Sequence, residues 1–486
     1  MIDEQVKLHD KLSAEIKVSF GARKKVKVND FTFNIWMFIP NSLDINRHNY
    51  SKADFYRDLK SNIRLTTPVF ILRDIIDSES SPFVHLRKSF KNLTSQPTRT
   101  NSEEYEYQIK MFLSILKSSL REEVNHILSS SKDDVEYLIN NYTINIKKVF
   151  NLYRELYLII NVPTVEKRYM EFYRYGDEFM INIIEKHCFM LLKGIKKFNE
   201  SSVPGNKEKV LLLINELISY KKSKGYLMAD EDSADKNGAF IHRMGMLKKY
   251  AESDLFLDIK KRRDGVWLEQ ILFSLAAGIS MIFATVIAFS VQQKFGNYTM
   301  PLFVALVVSY MLKDRIKELT RYYFAHRIGD KYFDHKIMMN MNNTGIGWAK
   351  ESVDFIPERN VPQEIIKRRD RPEILEATYK GAAEKVILYK MHMHINREKL
   401  NTISPYFFSG VNSIIRFNVT HLLRNMDNPE FNLFTSDNNE GFKVIKGKKY
   451  YYLSLIIQKQ NENQNELIHY RLILNRDGIQ SIQTIC

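Results

Sequence analysis

Ile271–Gln293 reads ILFSLAAGISMIFATVIAFSVQQ and carries no charged side chain. After Lys294 a second uncharged run, Phe295–Leu312, reads FGNYTMPLFVALVVSYML. A helix rises about 1.5 Å per residue, so about 20 residues cross a hydrocarbon core of roughly 30 Å. The first run reaches that length. The second falls short, because its apolar part begins near Tyr298 and includes Pro301; snorkelling of Lys313 and local bilayer thinning would make up the difference. The link around Lys294–Asn297 leaves room only for a tight hairpin. The competing reading is a buried hairpin in a soluble protein, but soluble cores seldom supply two adjacent uncharged runs of this kind. The flanks favour the bilayer. Lys260, Lys261, Arg262 and Arg263 precede the first run, Lys313, Arg315, Lys317 and Arg321 follow the second, and the tip carries only Lys294. By the positive-inside rule both flanks stay cytoplasmic. The expectation is a multi-pass inner-membrane protein with both termini in the cytoplasm, its eight flanking cations touching lipid headgroups.

Ahead of the hairpin the pattern is first β and then helical. EIKVSF, KKVKV and FTFNIWMFIP read as strands; in the last, Phe31, Phe33, Ile35 and Met37 alternate with Thr32, Asn34 and Trp36. Gly21 and Asn29-Asp30 supply turn signals for a small meander. Ser51 with Asp54 makes a capping box opening a short helix in YSKADFYRDLKSNIRL, and PVFILRDII reads as a further strand. From Glu103 to about Tyr226, apolar residues three and four apart predict helices near 103–130, 132–161, 164–198 and 207–224. LMADEDSADKNG is a linker, and an amphipathic helix over about Ala239–Asp258 leads into the hairpin. Charged helical sequence then runs from Asp314 to about Met341. Beyond Gly345, EKVILYKMHMHIN, SIIRFNVTHLL, KKYYYLSLIIQKQ and LIHYRLIL are strand-like, with turns at Asp437-Asn438-Asn439 and Asn475-Arg476-Asp477-Gly478. The fold class expected is an α+β membrane protein. Its parts are a mixed α/β region over 1–100, a cytoplasmic helical bundle over 101–265, a transmembrane hairpin over 268–312, a membrane-proximal helix over 313–344, and a β-rich cytoplasmic domain over 345–486.

Composition narrows the class. With 486 residues, 44% hydrophobic and 27% charged, the chain is neither collagen-like nor mainly disordered. Two cysteines, Cys188 and Cys486, exclude a disulfide scaffold and a four-cysteine zinc module. The opening MIDEQVKLHDKLSAEIK lacks the apolar core of a cleavable signal peptide. The net charge of +15 fits attraction of a membrane-proximal belt to anionic lipid better than nucleic-acid binding, since basic residues elsewhere interleave with acids. A cytoplasmic protein or nucleic-acid partner stays open.

No glycine-rich phosphate loop, nucleophile elbow or HExxH helix occurs. His392 and His394, two apart in a strand, face the same side, yet a solvated strand face explains them better than a metal site. His326, Asp330, Asp334 and His335 have helical spacing and read as surface ion pairs. The reading favours a non-enzymatic protein with no cofactor, metal or catalytic residue assigned. Within the first run, Ala276, Ser280, Ala284 and Ala288 fall four apart, as do Ser274 and Gly278. Small residues so spaced let helix backbones approach closely in lipid, either between copies or within one hairpin.

GMLKKYAESDLFLDIKKRRDG (245–265), the hairpin, and SYMLKDRIKEL (309–319) together resemble an uncharacterised bacterial membrane-protein family. A similar LLKK helix, an AAG-containing first span and a KDRIKE exit helix recur in that family. FIPNSLDINRHNYSKADFYRDLKSNIRL (38–65) is similar to a segment of the same proteins. The resemblance spans most of the chain and implies a two-transmembrane plan without an assigned activity. A narrower likeness is to two-transmembrane effectors beside bacterial retrons and other phage-defence modules. It implies a cytoplasmic sensing part joined to a hairpin that harms the inner membrane. The first expectation is therefore a signal-triggered effector that oligomerises and perturbs membrane integrity. The alternatives are a non-catalytic anchor or scaffold for a cytoplasmic complex, and a membrane-tethered enzyme whose site is dispersed in sequence.

Overall fold

Alternation along the strands builds most of one unit. The computed structural model describes residues 2–23, 26–78, 81–196, 204–296, 299–329, 332–371, 384–436, 441–461 and 464–485. It is mixed α+β, 52% helix and 29% strand. Residues 1–63, 258–405 and 410–486 form one unit, and 64–257 with 406–409 form the other.

In the first unit a four-stranded sheet runs β1 (Ile2–Asp10), β2 (Ser13–Gly21), β9 (Gly410–Asn418), β4 (Leu59–Leu65). An eight-stranded sheet runs β14 (Gly478–Ile485), β13 (Gln464–Asn475), β12 (Tyr451–Asn461), β3 (Val28–Pro40), β8 (Glu384–Asn396), β7 (Thr344–Ile356), β6 (His335–Met341), β5 (Asp258–Arg263). A separate ribbon pairs β10 (Glu430–Thr435) with β11 (Lys443–Lys448). The two larger sheets pack face to face. Phe20 of β2 lies 5.6 Å from Phe31 and 6.5 Å from Phe33 of β3, ring centre to ring centre. Phe31, Phe33, Ile35 and Met37, the set picked out by alternation, are all buried. On the opposite face of the larger sheet, Val361 and Ile365 pack on Trp36, Phe38, Val386, Leu388 and Ile456; Ile365 belongs to α11 (Gln363–Arg369).

The expected capping box forms: Ser51 accepts from the Asp54 backbone and Asp54 returns the bond, opening α1 (Lys52–Asp58). Phe55 of α1 packs against Tyr389 and Phe417 at 6.0 and 5.7 Å.

The second unit is a helical bundle: α2 (Asp74–Asp77), α3 (Pro82–Ser95), α4 (Arg99–Ser129), α5 (Lys132–Ile160), α6 (Lys167–Ile195), α7 (Pro204–Lys224) and α8 (Ala234–Glu252). Thr98 and Ser233 cap α4 and α8 by accepting from the backbone amides of Asn101 and Lys236. Met111 to Leu116 are buried without a break, which places α4 in the middle of the bundle, packed on several sides.

Several expectations need correction. PVFILRDII forms no strand; it is irregular and ends in α2. YSKADFYRDLKSNIRL is helical only to Asp58 and then becomes β4. The helix before the hairpin stops at Glu252, and Asp258–Arg263 is the edge strand β5. The segment 313–344 is not one helix, since β6 occupies His335–Met341. The boundaries at 100 and 345 divide strands that here lie side by side: β3 sits between β12 and β8, and β2 pairs with β9. Periodicity identifies a strand, while its neighbours are chosen by packing that periodicity does not encode. The turn at Asp437-Asn438-Asn439 lies outside the described residues.

Candidate functional site

A helical hairpin interrupts the β5–β6 connection. Arg263 of β5 pairs with His335 of β6, and between them run α9 (Val266–Phe295) and α10 (Met300–Gly329). Gly265 makes the corner into α9 with φ +72°, and a Cβ there would stand 3.1 Å from the Tyr332 ring.

The hairpin packs inside out relative to a water-soluble pair of helices. Its buried seam holds small residues: Ala276, Ser280 and Ser309. Its outward surface holds large apolar ones, among them Ile282 at 64% exposure, Phe289 at 70%, Phe303 at 62% and Met311 at 66%. The Ser309 hydroxyl donates across the seam to the Ala284 carbonyl at 3.2 Å. Ser274, Ser280 and Thr285 donate within α9 to the carbonyls of Gln270, Ala277 and Met281, which satisfies each hydroxyl without water. Of the predicted stripe, Ala276 and Ser280 lie in the seam and Ala284 and Ala288 are half-buried beside it. Ser274 and Gly278 point outward.

Among the described residues one helix, α9, is long and apolar enough to cross a membrane by length and composition. The register explains why α10 is not its equal. Ser309 meets Ala284, and the Arg321 guanidinium lies 4.5 Å over the Phe273 ring. Lys313, Asp314, Arg315, Lys317 and Glu318 therefore stand beside the α9 turns near Leu275–Met281. The zone in which both helices are apolar is Met300–Leu312 with its α9 neighbours, about 20 Å high at 1.5 Å per residue. Lys313 lies 4.2 Å over the Tyr310 ring, and Arg321 also reaches Glu318 at 3.3 Å.

Strand geometry divides the other predicted cations. Side chains alternate along β5, so Lys261 and Arg263 turn inward while Lys260 and Arg262 turn outward. Lys261 Nζ lies 2.5 Å from Glu351 Oε1, and Arg263 lies 3.3 Å from Glu269. On the outer face Arg262, Lys336 and Lys350 are cross-strand neighbours. Asp264 takes Lys350 at 2.8 Å. Among the described residues no acid lies within ion-pair reach of Lys260, Arg262 or Lys336.

Below the hairpin sits a polar collar around a cavity of about 410 Å³. Asp334 accepts from Lys52 at 2.9 Å, from the Tyr56 hydroxyl at 2.9 Å and from the Val353 amide at 2.8 Å. Lys52 also reaches Asp354 at 2.9 Å. His335 Nδ1 stands 3.4 Å from Glu351 Oε1, and the Tyr389 hydroxyl donates to Glu351 Oε2 at 2.9 Å. Glu351 is fully buried. Burial pushes its carboxyl up, but the contacts from His335, Lys261 and Tyr389 and the Lys261 charge outweigh this and leave it below the ordinary glutamate range. Replacing Asp334 with alanine strands the Tyr56 hydroxyl and the Val353 amide; the expected loss is about 2 kcal/mol in denaturant unfolding. An unchanged midpoint would show that water serves these donors equally well.

Asp334 and His335 thus anchor the root of the hairpin. The side chain of His326 and the whole of Asp330 lie outside the described residues. His392 and His394 share one carboxylate, at 3.3 and 2.9 Å from Asp30 Oδ1, on the outer sheet face beside Trp348. Among the described residues no three His, Cys, Asp or Glu are grouped to hold a metal ion. The collar residues Lys52, Tyr56, Glu351 and Tyr389 escaped the sequence reading. A signal existed for Glu351, since it occupies an inward position of β7 between Ala349 and Val353. No family model, curated protein or solved structure matches this chain.

Proposed function

We propose that this chain is a membrane-embedded protein of the bacterial inner-membrane type. In this reading α9 and α10 lie in lipid, and the first unit's body stays at the surface from which they enter. The inverted packing of the hairpin carries it. A hairpin folded in water would place Ile282, Phe289, Phe303 and Met311 in its seam and its small residues outside; the opposite order suits a hydrocarbon solvent. Lys260, Arg262 and Lys336 then meet anionic headgroups.

The charged half of α10 favours self-association over a solitary anchor. Arg315 and Lys317 lie level with apolar turns of α9, so a lone hairpin would hold them against lipid at a cost of a few kcal/mol each. Several copies that turn this half of α10 toward one another, around water, remove that cost. The body receives a signal, the association changes, and membrane integrity is lost, as in a phage-defence effector.

Topology and leakage test this together. Single cysteines at Lys294 label from the far side of the membrane, while those at Arg263 do not. Arg315→Leu with Lys317→Leu is expected to keep membrane location while cross-linked oligomers and dye leakage fall together. A leucine pair that leaks like the parent would sink the assembly. A parent that never leaks leaves a constitutive anchor.

A further inference from the structure

The helical unit holds a second site, independent of the membrane reading. A cleft of about 950 Å³ opens between α5, α6, the end of α7 and the turn after it, within the size range of small-molecule sites. Its chemistry is layered from floor to rim. At the floor is Asp177, 1% exposed. Its Oδ2 accepts from the hydroxyls of Tyr220 at 3.1 Å and Tyr226 at 2.8 Å. Its Oδ1 is enclosed and has no hydrogen-bond donor among the described residues. A buried acceptor left so is destabilising, and a ligand N–H would satisfy it.

Above the floor are aromatic rings, with Tyr157 38% exposed. At the rim are cations. The Arg154 guanidinium lies 4.5 Å over the Tyr220 ring, and Lys224 Nζ lies 5.6 Å over the same ring and 6.0 Å over Tyr157. Two other lining cations are already spent, Arg243 bidentate on Glu178 and Arg174 on Glu171 at 2.8 Å. Arg154 and Lys224 have no acidic partner among the described residues.

We propose that this cleft binds a purine nucleotide, its base amino group directed to Asp177, its ring against the tyrosines and its phosphates on Arg154 and Lys224. The order of groups selects this class. An organic cation would be repelled at the rim by Arg154 and Lys224. A bare polyphosphate would leave the rings and the floor acceptor unused, and the Asp177 carboxyl repels it from the depth. A nucleoside without phosphate forgoes the two rim cations. Only a ligand with a donor at one end, a flat ring between and negative charge at the other matches all three layers.

The test uses the full chain in detergent micelles, with ATP, GTP, adenosine, guanosine and inorganic triphosphate measured by equilibrium dialysis. ATP or GTP is expected to bind at micromolar concentration, with the nucleosides and triphosphate at least about tenfold weaker. Lys224→Ala, on the exposed rim, is expected to weaken nucleotide binding by about tenfold while the melting curve stays unchanged. Asp177→Asn serves as the floor variant and should change the preference between ATP and GTP. No purine nucleotide binding at about 1 mM overturns the proposal. So does inorganic triphosphate binding as tightly as the nucleotides, or nucleotide binding that Lys224→Ala leaves intact. None of these outcomes depends on whether the hairpin enters lipid.

Discussion

Aspartates placed at both Ile282 and Phe289 are expected to release the protein from membranes. Both side chains point outward from α9, 64% and 70% exposed, and seven residues apart they share one face. An aspartate near the centre of a membrane helix costs about 2.5–3.5 kcal/mol, so the pair shifts partitioning by roughly four orders of magnitude. The parent chain should stay with membranes through high salt and alkaline carbonate, as should a control carrying leucine at both positions. The aspartate pair should appear in the supernatant or be degraded. Release of the parent by salt alone would mean that charge, through Lys260 and Arg262, holds it at the surface.

The second large effect concerns Glu351. Replacing it with leucine leaves the Tyr389 hydroxyl, itself fully buried, without its acceptor and removes the partner of Lys261. The expected cost is about 3 kcal/mol. Glu351→Gln keeps the volume and an acceptor, and should cost less. Because the folded carboxyl titrates below the ordinary value of 4.5, its stabilising contribution is present above that pH and is lost as pH falls through the folded value. The stability gap between the parent and Glu351→Gln should thus be widest near neutrality and shrink below about pH 4.5. Melting temperatures at several pH values read this out, and a gap independent of pH would remove the ionised carboxylate from the account.

The bundle helices were legible because apolar spacing acts locally, but the caps Thr98 and Ser233 were not read, and α4 and α8 begin earlier than the expected 103 and 239. Thr98, Ser233 and the Ser51–Asp54 box stop or start elements through bonds three residues long. β8, β9, β12 and β13 were legible through alternation, whereas β7, β10, β11 and β14 were not read from it. What the sequence did not disclose is long-range. That β3 sits between β8 and β12 depends on which faces interlock, as does the meeting of Lys261 with Glu351 across β6. The small-residue stripe was visible as spacing, but nothing in the spacing says whether its partner is α10 or another copy. The Ser309 hydroxyl on the Ala284 carbonyl places α10 against that part of the stripe. The cleft around Asp177 was invisible because its members come from separate helices, with no motif to join them.

The placement of the hairpin between two paired strands has a consequence for synthesis. The apolar run leaves the ribosome before β6, β8, β9 and β12 have been made, so β3 waits with neither neighbour and β2 without β9. From Gly329 to Asn461 takes on the order of ten seconds at ordinary elongation rates. During that interval the hairpin is available to the insertion machinery, and the larger sheet cannot yet close. With the hairpin in lipid, as proposed, the body of the first unit finishes folding while already tethered, with β3 and its row of phenylalanines exposed to chaperones or to a neighbouring nascent chain.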